Sequence, residues 1–490
     1  MKKYIIGIDG GSQSTKVVMY DLEGNVVCEG KGSLQPMHTP DANTVEHQGD
    51  DLWESLQEAG WDLMSNYSGH PDEILGIGLG SIRCCRALLR ADGTPVKLIN
   101  WQDARINRPY EHTDEQVAYI SSFSGYIAHR LTGELKDCVG NCWGQWPVDF
   151  NTWRWSEDES VIEKFNIPRK MLFELVMPGE RLGYITEAAS RATGFPEGLP
   201  VIASTSDKAV ESLGAGLIND EMVVISLGTY IALMMSGKEL PKDALQYWPI
   251  MSSMPNILLY EGYGIRRGMW TVSWLRDLLG DSLIKEAKEK EMSPEEFLNE
   301  KASSVPPGSD GLITILDWLN NPWEPYKRGI ILGFHAAMDY SYMYRSILES
   351  IALTMKNNYD NMSKELKREG KELVITGGGS NSDLFMQIFA DVFNMPTKRN
   401  VINGCASLGS AINTAVGLGV YNSYQEAVKK MVKVRDTFMP IAGNVDIYET
   451  LNTQLYRDIT KDTDEILKKS YKVFRSNVEE VEEIQSYAVS

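Results

Sequence analysis

Ile5-Ile6-Gly7-Ile8-Asp9-Gly10-Gly11-Ser12-Gln13-Ser14-Thr15-Lys16-Val17-Val18-Met19-Tyr20 reads as an apolar strand, a tight hydroxyl-rich turn and a second apolar strand. Glycine lets backbone N–H groups approach phosphate oxygens closely, Ser12 and Ser14 add hydroxyl donors, and Lys16 adds charge. The pattern is neither a Walker loop nor a dinucleotide fingerprint. Close to half of the 490 residues later the motif returns as Met222-Val223-Val224-Ile225-Ser226-Leu227-Gly228-Thr229-Tyr230, again followed by an apolar strand. Two such turns half a chain apart predict two similar α/β lobes, each offering one turn to a single nucleotide.

Just before the second turn, Asp207 follows the apolar run Pro200-Val201-Ile202-Ala203 and opens a helical stretch that ends at Gly214-Ala215-Gly216. Open α/β sheets place ligands at strand ends and helix N-termini, so Asp207 is a candidate general base. The plainer reading is a helix cap, a role for which Asp is well suited. Leu373-Val374-Ile375-Thr376 is another short apolar strand, and Gly377-Gly378-Gly379 after it removes three side chains before an amphipathic stretch from Asp383. An ordinary strand-to-helix turn rarely needs three glycines, whereas a flat adenine or ribose packs where Cβ atoms are missing.

Composition narrows the classes. A formal net charge of −19 argues against nucleic acid or an anionic membrane surface as partner, since both require clustered Lys and Arg. No stretch approaches the ~20 apolar residues of a membrane span, and Met1-Lys2-Lys3 leads directly into a strand, so a cytoplasmic enzyme is expected. The six cysteines are scattered and expected to be free thiols; Cys138 and Cys142 lack the second pair that a zinc site would use. The six histidines show no ligand spacing. Leu275–Glu300, Tyr344–Arg368, Tyr424–Val434 and Tyr448–Phe474 have helical periodicity, and Asn477–Ser490 is an acidic, polar tail. Trp143, Trp146, Trp153 and Trp155 form a local cluster better suited to packing than to a sugar platform.

Nine stretches in order resemble the FGGY family of carbohydrate kinases, within the actin-like ATPase superfamily. They are Asp9 to Lys16, Trp101-Gln102-Asp103-Ala104-Arg105, Arg130-Leu131-Thr132-Gly133-Glu134, Ser206-Asp207-Lys208, Ser226-Leu227-Gly228-Thr229, Asn321-Pro322-Trp323-Glu324-Pro325, Arg328-Gly329, Arg345-Ser346-Ile347-Leu348-Glu349 and Gly377-Gly378-Gly379-Ser380-Asn381-Ser382. The resemblance implies two ribonuclease H-like lobes with a cleft between them: an N-terminal lobe over 1–216, a nucleotide-binding lobe over 217–420, and C-terminal helices with the tail over 421–490. It implies transfer of the ATP γ-phosphoryl group to a hydroxyl of an open-chain sugar or polyol, and it allows a homodimer. By position Asp207 is the family's base and Asp9 holds Mg²⁺ through water. Gly11, Ser12, Gln13, Ser14 and Lys16 match the first phosphate turn, Gly228 and Thr229 the second, and Gly378, Gly379 and Ser382 the adenosine pocket.

For the substrate, Arg83 and Cys84 in Gly80-Ser81-Ile82-Arg83-Cys84-Cys85-Arg86 stand where the resembled xylulose kinases carry Met-His and glycerol and autoinducer-2 kinases carry Arg-Glu. An arginine fork suits vicinal hydroxyls. Trp101 and Asp103 offer an apolar wall and an acceptor. The overall pattern favours a pentulose such as xylulose, with a polyol or an autoinducer-2-like ligand second. Three departures stand out: only Ile106 to His129 separates two family stretches normally further apart, Lys208 replaces an Asn or Gln after the base, and Gly404 replaces a common Glu. They keep open an alternative of another class, a nucleotide-dependent sensor on the same fold.

Overall fold

Two mixed sheets with matching strand order organise the chain in the computed structural model, which describes residues 3–41, 43–241, 243–319 and 324–475. The first sheet contains β1 (Tyr4–Gly10), β2 (Ser14–Asp21), β3 (Val26–Ser33), β4 (Ile74–Ser81), β5 (Arg181–Tyr184) and β6 (Pro200–Ser206), in the order β5-β6-β4-β1-β2-β3. β1, β4 and β6 are mutually parallel and their neighbours antiparallel. The second sheet contains β7 (Met222–Leu227), β8 (Ile231–Gly237), β9 (Tyr247–Met251), β10 (Leu258–Ile265), β11 (Glu372–Thr376), β12 (Thr397–Asn400) and β13 (Val434–Phe438), in the order β9-β10-β8-β7-β11-β12-β13. Here β7, β11 and β12 are parallel. The meander β1-β2-β3 with β4 and β6 beside it thus recurs as β7-β8-β10 with β11 and β12, the duplicated lobe expected from the two phosphate turns.

Both faces of the central strands are buried, which is why their sequences are almost continuously apolar. In β1 and β2, Ile6, Ile8, Val17 and Met19 face one core with α1 (Asp51–Asn66), and Ile5, Val18 and Tyr20 face the other. That second core is filled by Leu408, Ala411, Ile412 and Ala415 of a helix spanning Ala406–Gly417. This helix lies late in the sequence yet packs on the first sheet. Small residues permit it: a Cβ on Gly7 would meet the Ser407 carbonyl at 1.9 Å, and one on Gly409 would meet the Val210 carbonyl at 1.9 Å. Its partner, α2 (Asp207–Gly214), is pressed against it, so the two helices stand between the sheets.

The outer face of the second sheet is covered by α3 (Gly268–Glu289), α4 (Tyr340–Leu366) and α5 (Asp383–Phe393), which share one core with Val223, Ile225 and Leu227. The helical stretch expected over 275–300 divides here, because Ser293 caps a new helix, Pro294–Ser303, through a reciprocal bond pair with Glu296. The expected terminal helices appear as Ala442–Leu451 and Ile459–Arg475 with a π-turn between them. Asn321-Pro322-Trp323 and the tail from Asn477 lie outside the described residues. Among the described residues no helix is long and apolar enough to cross a membrane. The six cysteines are free thiols.

Candidate active site

Strand register brings the first group of site residues to one edge. Asp9 lies opposite Gly80, Gly10 opposite Ser81, and Ser81 opposite Ser206, so the ends of β1, β4 and β6 are level. The β1–β2 turn closes on a bond from Gly11 N–H to the Ser14 carbonyl at 3.1 Å and leaves Ser12 and Gln13 exposed. Lys16, opposite Asp9 in the hairpin, pairs with Glu29 at 2.8 Å. In the second sheet Ser226 at the end of β7 lies beside Thr376 at the end of β11. Gly228 and Thr229 accept bonds through their carbonyls from Met269 and Gly268 at the start of α3.

Ser206, and not Asp207, occupies the N-cap of α2, and Asp207 is the first residue inside the helix. The capping explanation for this acid therefore does not apply. Burial raises its carboxyl above the ordinary range, while Lys208 and Arg83 pull it back toward the charged form. Asp9 is raised to about 7, first by burial and then by the Asp207 and Glu211 charges, with Lys208 and Lys16 opposing. Lys208 Nζ donates to Glu211 Oε2 at 2.9 Å and Ser226 Oγ at 3.2 Å, tying α2 to the second sheet. Thr376 donates to the other Glu211 oxygen at 2.7 Å. Burial works against the Glu211 charge, but Lys208 and these hydrogen bonds prevail and hold its carboxyl below the ordinary value.

Arg83 follows β4 and pairs with Glu261 of β10, an ion pair that spans from one lobe to the other. Glu261 is 4% exposed, and its charge is felt at Asp207 and Tyr230. Cys84, next in sequence, adopts a left-handed backbone with φ 58°, and burial raises its thiol. Trp101 is half exposed.

Several of the expected ligand positions also carry contacts within the protein. Asp103 is 1% exposed, and its two oxygens take Val45 N–H at 2.8 Å and the Arg105 backbone and guanidinium at 2.6–2.9 Å, so it braces its own lobe. Burial alone would raise its carboxyl, yet those bonds hold it low. Ser382 caps α5 through Phe385 N–H at 3.1 Å and donates to Asn299 at 2.7 Å. Of the three glycines, Gly377 turns the chain with φ 80°, Gly379 packs on Leu227 so tightly that a Cβ would lie 2.8 Å away, and only Gly378 faces open space. Glu211 and Glu261 escaped the sequence reading. Glu211 carries a local signal, the Lys208–Glu211 spacing of three on a helix; Glu261 carries none, because its partner is far away in the chain.

The cluster is rich in negative charge, with three carboxylates sharing Lys208. It fits a divalent cation electrostatically, and a cation would draw the Asp9 proton off near neutral pH. Among the described residues no three His, Cys, Asp or Glu side chains are grouped as a metal cage. The donor set therefore fits an ion held through water and phosphate oxygens, as Mg²⁺ commonly is.

Comparison with known proteins bears on family and fold. The model of the FGGY family of carbohydrate kinases, N-terminal domain, matches residues 4–117 and 106–214, and that of the C-terminal domain matches 223–418. The chain is 68% identical, over 99% of both chains, to the uncharacterized sugar kinase YgcE of Escherichia coli (strain K12). It is 25% identical to the xylulose kinase of Lactococcus lactis subsp. lactis (strain IL1403), over 94% of this chain and 97% of that one. In fold it is similar to the crystal structure of gluconate kinase from Lactobacillus acidophilus, with TM-score 0.82, 20% identity and 96% and 100% of the two chains covered.

Proposed function

The chain belongs to the FGGY family of carbohydrate kinases, and from that premise we propose that it transfers the ATP γ-phosphoryl group to a hydroxyl of an open-chain sugar or polyol, with Asp207 as general base. The observation that carries this reading is the position of Asp207. It starts α2 between the two sheets, level with the first phosphate turn, with Lys208 and Arg83 favouring its charged form. In the reaction the substrate hydroxyl oxygen bonds to the γ-phosphorus, its proton passes to the Asp207 carboxylate, and the bond to the bridging oxygen breaks to leave ADP.

The two turns, Gly11 to Lys16 and Gly228 with Thr229, hold the phosphates through backbone N–H groups and hydroxyls. Gly378 leaves room for the adenosine. Asp9 would hold Mg²⁺ through water, and the ion, when bound with ATP, offsets the charge of the phosphates. Arg83, Cys84 and Trp101 line the substrate side. Among open-chain sugars, likeness to xylulose kinases puts a pentulose such as xylulose first, with a polyol or autoinducer-2-like compound second.

The test is ADP release from Mg-ATP against pentuloses, hexuloses, pentitols, glycerol and erythritol, extended to acidic sugars. Turnover on one compound class is expected. ATP binding with no turnover on any compound would overturn the kinase reading in favour of a nucleotide sensor.

A further inference from the structure

One ion pair joins the substrate side of the first lobe to the phosphate side of the second. Arg83 Nη2 donates to Glu261 Oε2, and among the described residues each side chain hydrogen-bonds to the other alone. Glu261 is 4% exposed, so its carboxylate has left water for a single cation on the opposite lobe. The Arg83 side chain is 23% exposed, and its N–H groups not spent on Glu261 are left for a ligand. The arginine is seated in a strained turn: Cys84 after it is a non-glycine residue at φ 58°, and Cys85 Sγ donates to the Arg83 carbonyl at 3.3 Å.

Glu261 is in turn fixed to the second phosphate turn. It stands in β10 opposite Met234 of β8, and β8 starts at Ile231, directly after Gly228-Thr229-Tyr230. Two glycines let the chain press on that turn. A Cβ on Gly264 would lie 2.1 Å from the Ile231 carbonyl and 2.7 Å from the Tyr230 phenol, and one on Gly268 would lie 2.3 Å from the Ile231 side chain. β10 leads through Arg266 and Arg267 into α3, whose first N–H groups, of Gly268 and Met269, donate to the Thr229 and Gly228 carbonyls at 3.0 and 3.3 Å. Burial and then the Glu261 charge push the Tyr230 hydroxyl up to about 12, in keeping with a carboxylate beside the last residue of the turn. Backbone hydrogen bonds, close glycine contacts and one ion pair therefore connect the phosphate turn to the substrate-side arginine.

We propose that Glu261 is a positioning residue that carries the state of the second phosphate turn to Arg83, so that the ATP phosphates and the sugar or polyol tighten one another's binding through the Arg83–Glu261 pair. This rests on the kinase reading and on phosphate binding at Gly228 and Thr229. Phosphates seated on the turn fix those two residues and, through them, β10 and the Glu261 carboxylate. Glu261 then holds the guanidinium in one orientation before the substrate arrives, which lowers the ordering cost of binding it. By linkage the sugar strengthens nucleotide binding by the same factor.

The experiment is calorimetry on the full chain, with xylulose, xylitol, glycerol and gluconate each titrated in the presence and absence of saturating Mg²⁺ and the non-hydrolysable ATP analogue AMP-PNP. Wild type, Glu261→Gln and Glu261→Asp are compared; Gln keeps the shape, and Asp keeps the charge one methylene short of Arg83. In the wild type AMP-PNP is expected to tighten at least one of these compounds at least about fivefold, and that compound to tighten AMP-PNP equally. In Glu261→Gln the factor should fall to within about twofold of unity while AMP-PNP alone binds within about twofold of wild type, with Glu261→Asp intermediate. A residue with only a structural role would lower the melting temperature or weaken the sugar equally with and without nucleotide, and would leave the factor intact.

Coupling kept at wild-type strength in Glu261→Gln and Glu261→Asp would overturn the proposal, as would a wild type that shows no coupling or binds none of the four compounds. Coupled binding that is lost in Glu261→Gln, with no ADP release from any compound, would keep this inference and defeat the kinase reading. ADP release with no coupling between sugar and nucleotide would do the reverse.

Discussion

Replacing Lys208 by Met removes the cation shared by Asp9, Asp207 and Glu211. The Lys208 and Glu211 side chains are 18% and 13% exposed and 2.9 Å apart, so the pair is largely sheltered from solvent. Breaking a buried pair by deleting one partner costs about 3–5 kcal/mol. Glu211 keeps its bond from Thr376 at 2.7 Å and can escape its charge by taking up a proton, which places the cost near the lower end, about 3 kcal/mol. In the wild type the lowered Glu211 carboxyl stabilises the fold above its unfolded pKa, and that contribution fades as pH falls through the folded value. Without Lys208 the carboxyl moves above its unfolded value and the sign reverses, so the loss should be largest near pH 8.5 and shrink toward pH 5. Urea unfolding of Lys208→Met, Glu211→Gln and the double variant at these pH values measures it, with the double variant recovering at least half of the loss. The acidic limb of kcat/KM should also move upward, because Lys208 is the strongest influence holding Asp207 charged. A cost below about 1 kcal/mol at pH 8.5, or one independent of pH, would refute the reasoning.

Other expectations follow from single positions. Asp9 sits at about 7 in the fold against 3.8 for a free carboxyl, a penalty fully present above pH 7 and absent below about pH 4. Asp9→Asn should therefore melt higher than wild type at pH 8 and equal to it at pH 4 in thermal scans, while losing its response to Mg²⁺. Gly409→Ala forces a Cβ to within 1.9 Å of a backbone carbonyl and should destabilise by about 3 kcal/mol or fail to fold, whereas Gly378→Ala has open space and should stay within about 0.5 kcal/mol while weakening ATP binding. Arg83→Met strands Glu261 at 4% exposure, and in chemical unfolding the loss should be relieved by adding Glu261→Gln.

The two lobes and the turns between their first strands were legible because their signals are local: apolar runs of strand length, glycines and hydroxyls between them, and the same pattern half a chain later. The break at Ser293-Pro294-Glu295-Glu296 carries an equally local signal, a capping signature, but the helical periodicity over Leu275–Glu300 masks it. What the sequence hid is made by distance. Arg83 meets Glu261, and Thr376 meets Glu211, across gaps of 178 and 165 residues. Asp103 looks like a free acceptor until the fold brings Val45 to it.

The most direct test is Asp207→Asn, which keeps shape and polarity and removes only the basic carboxylate. ATP affinity by calorimetry and ADP release with the phosphorylated substrate are measured on the same preparation. The account predicts ATP binding within a few-fold of wild type and a kcat at least about a hundredfold lower. A variant that binds ATP and turns over at the wild-type rate would show that the proton leaves by another route and that Asp207 is not the base.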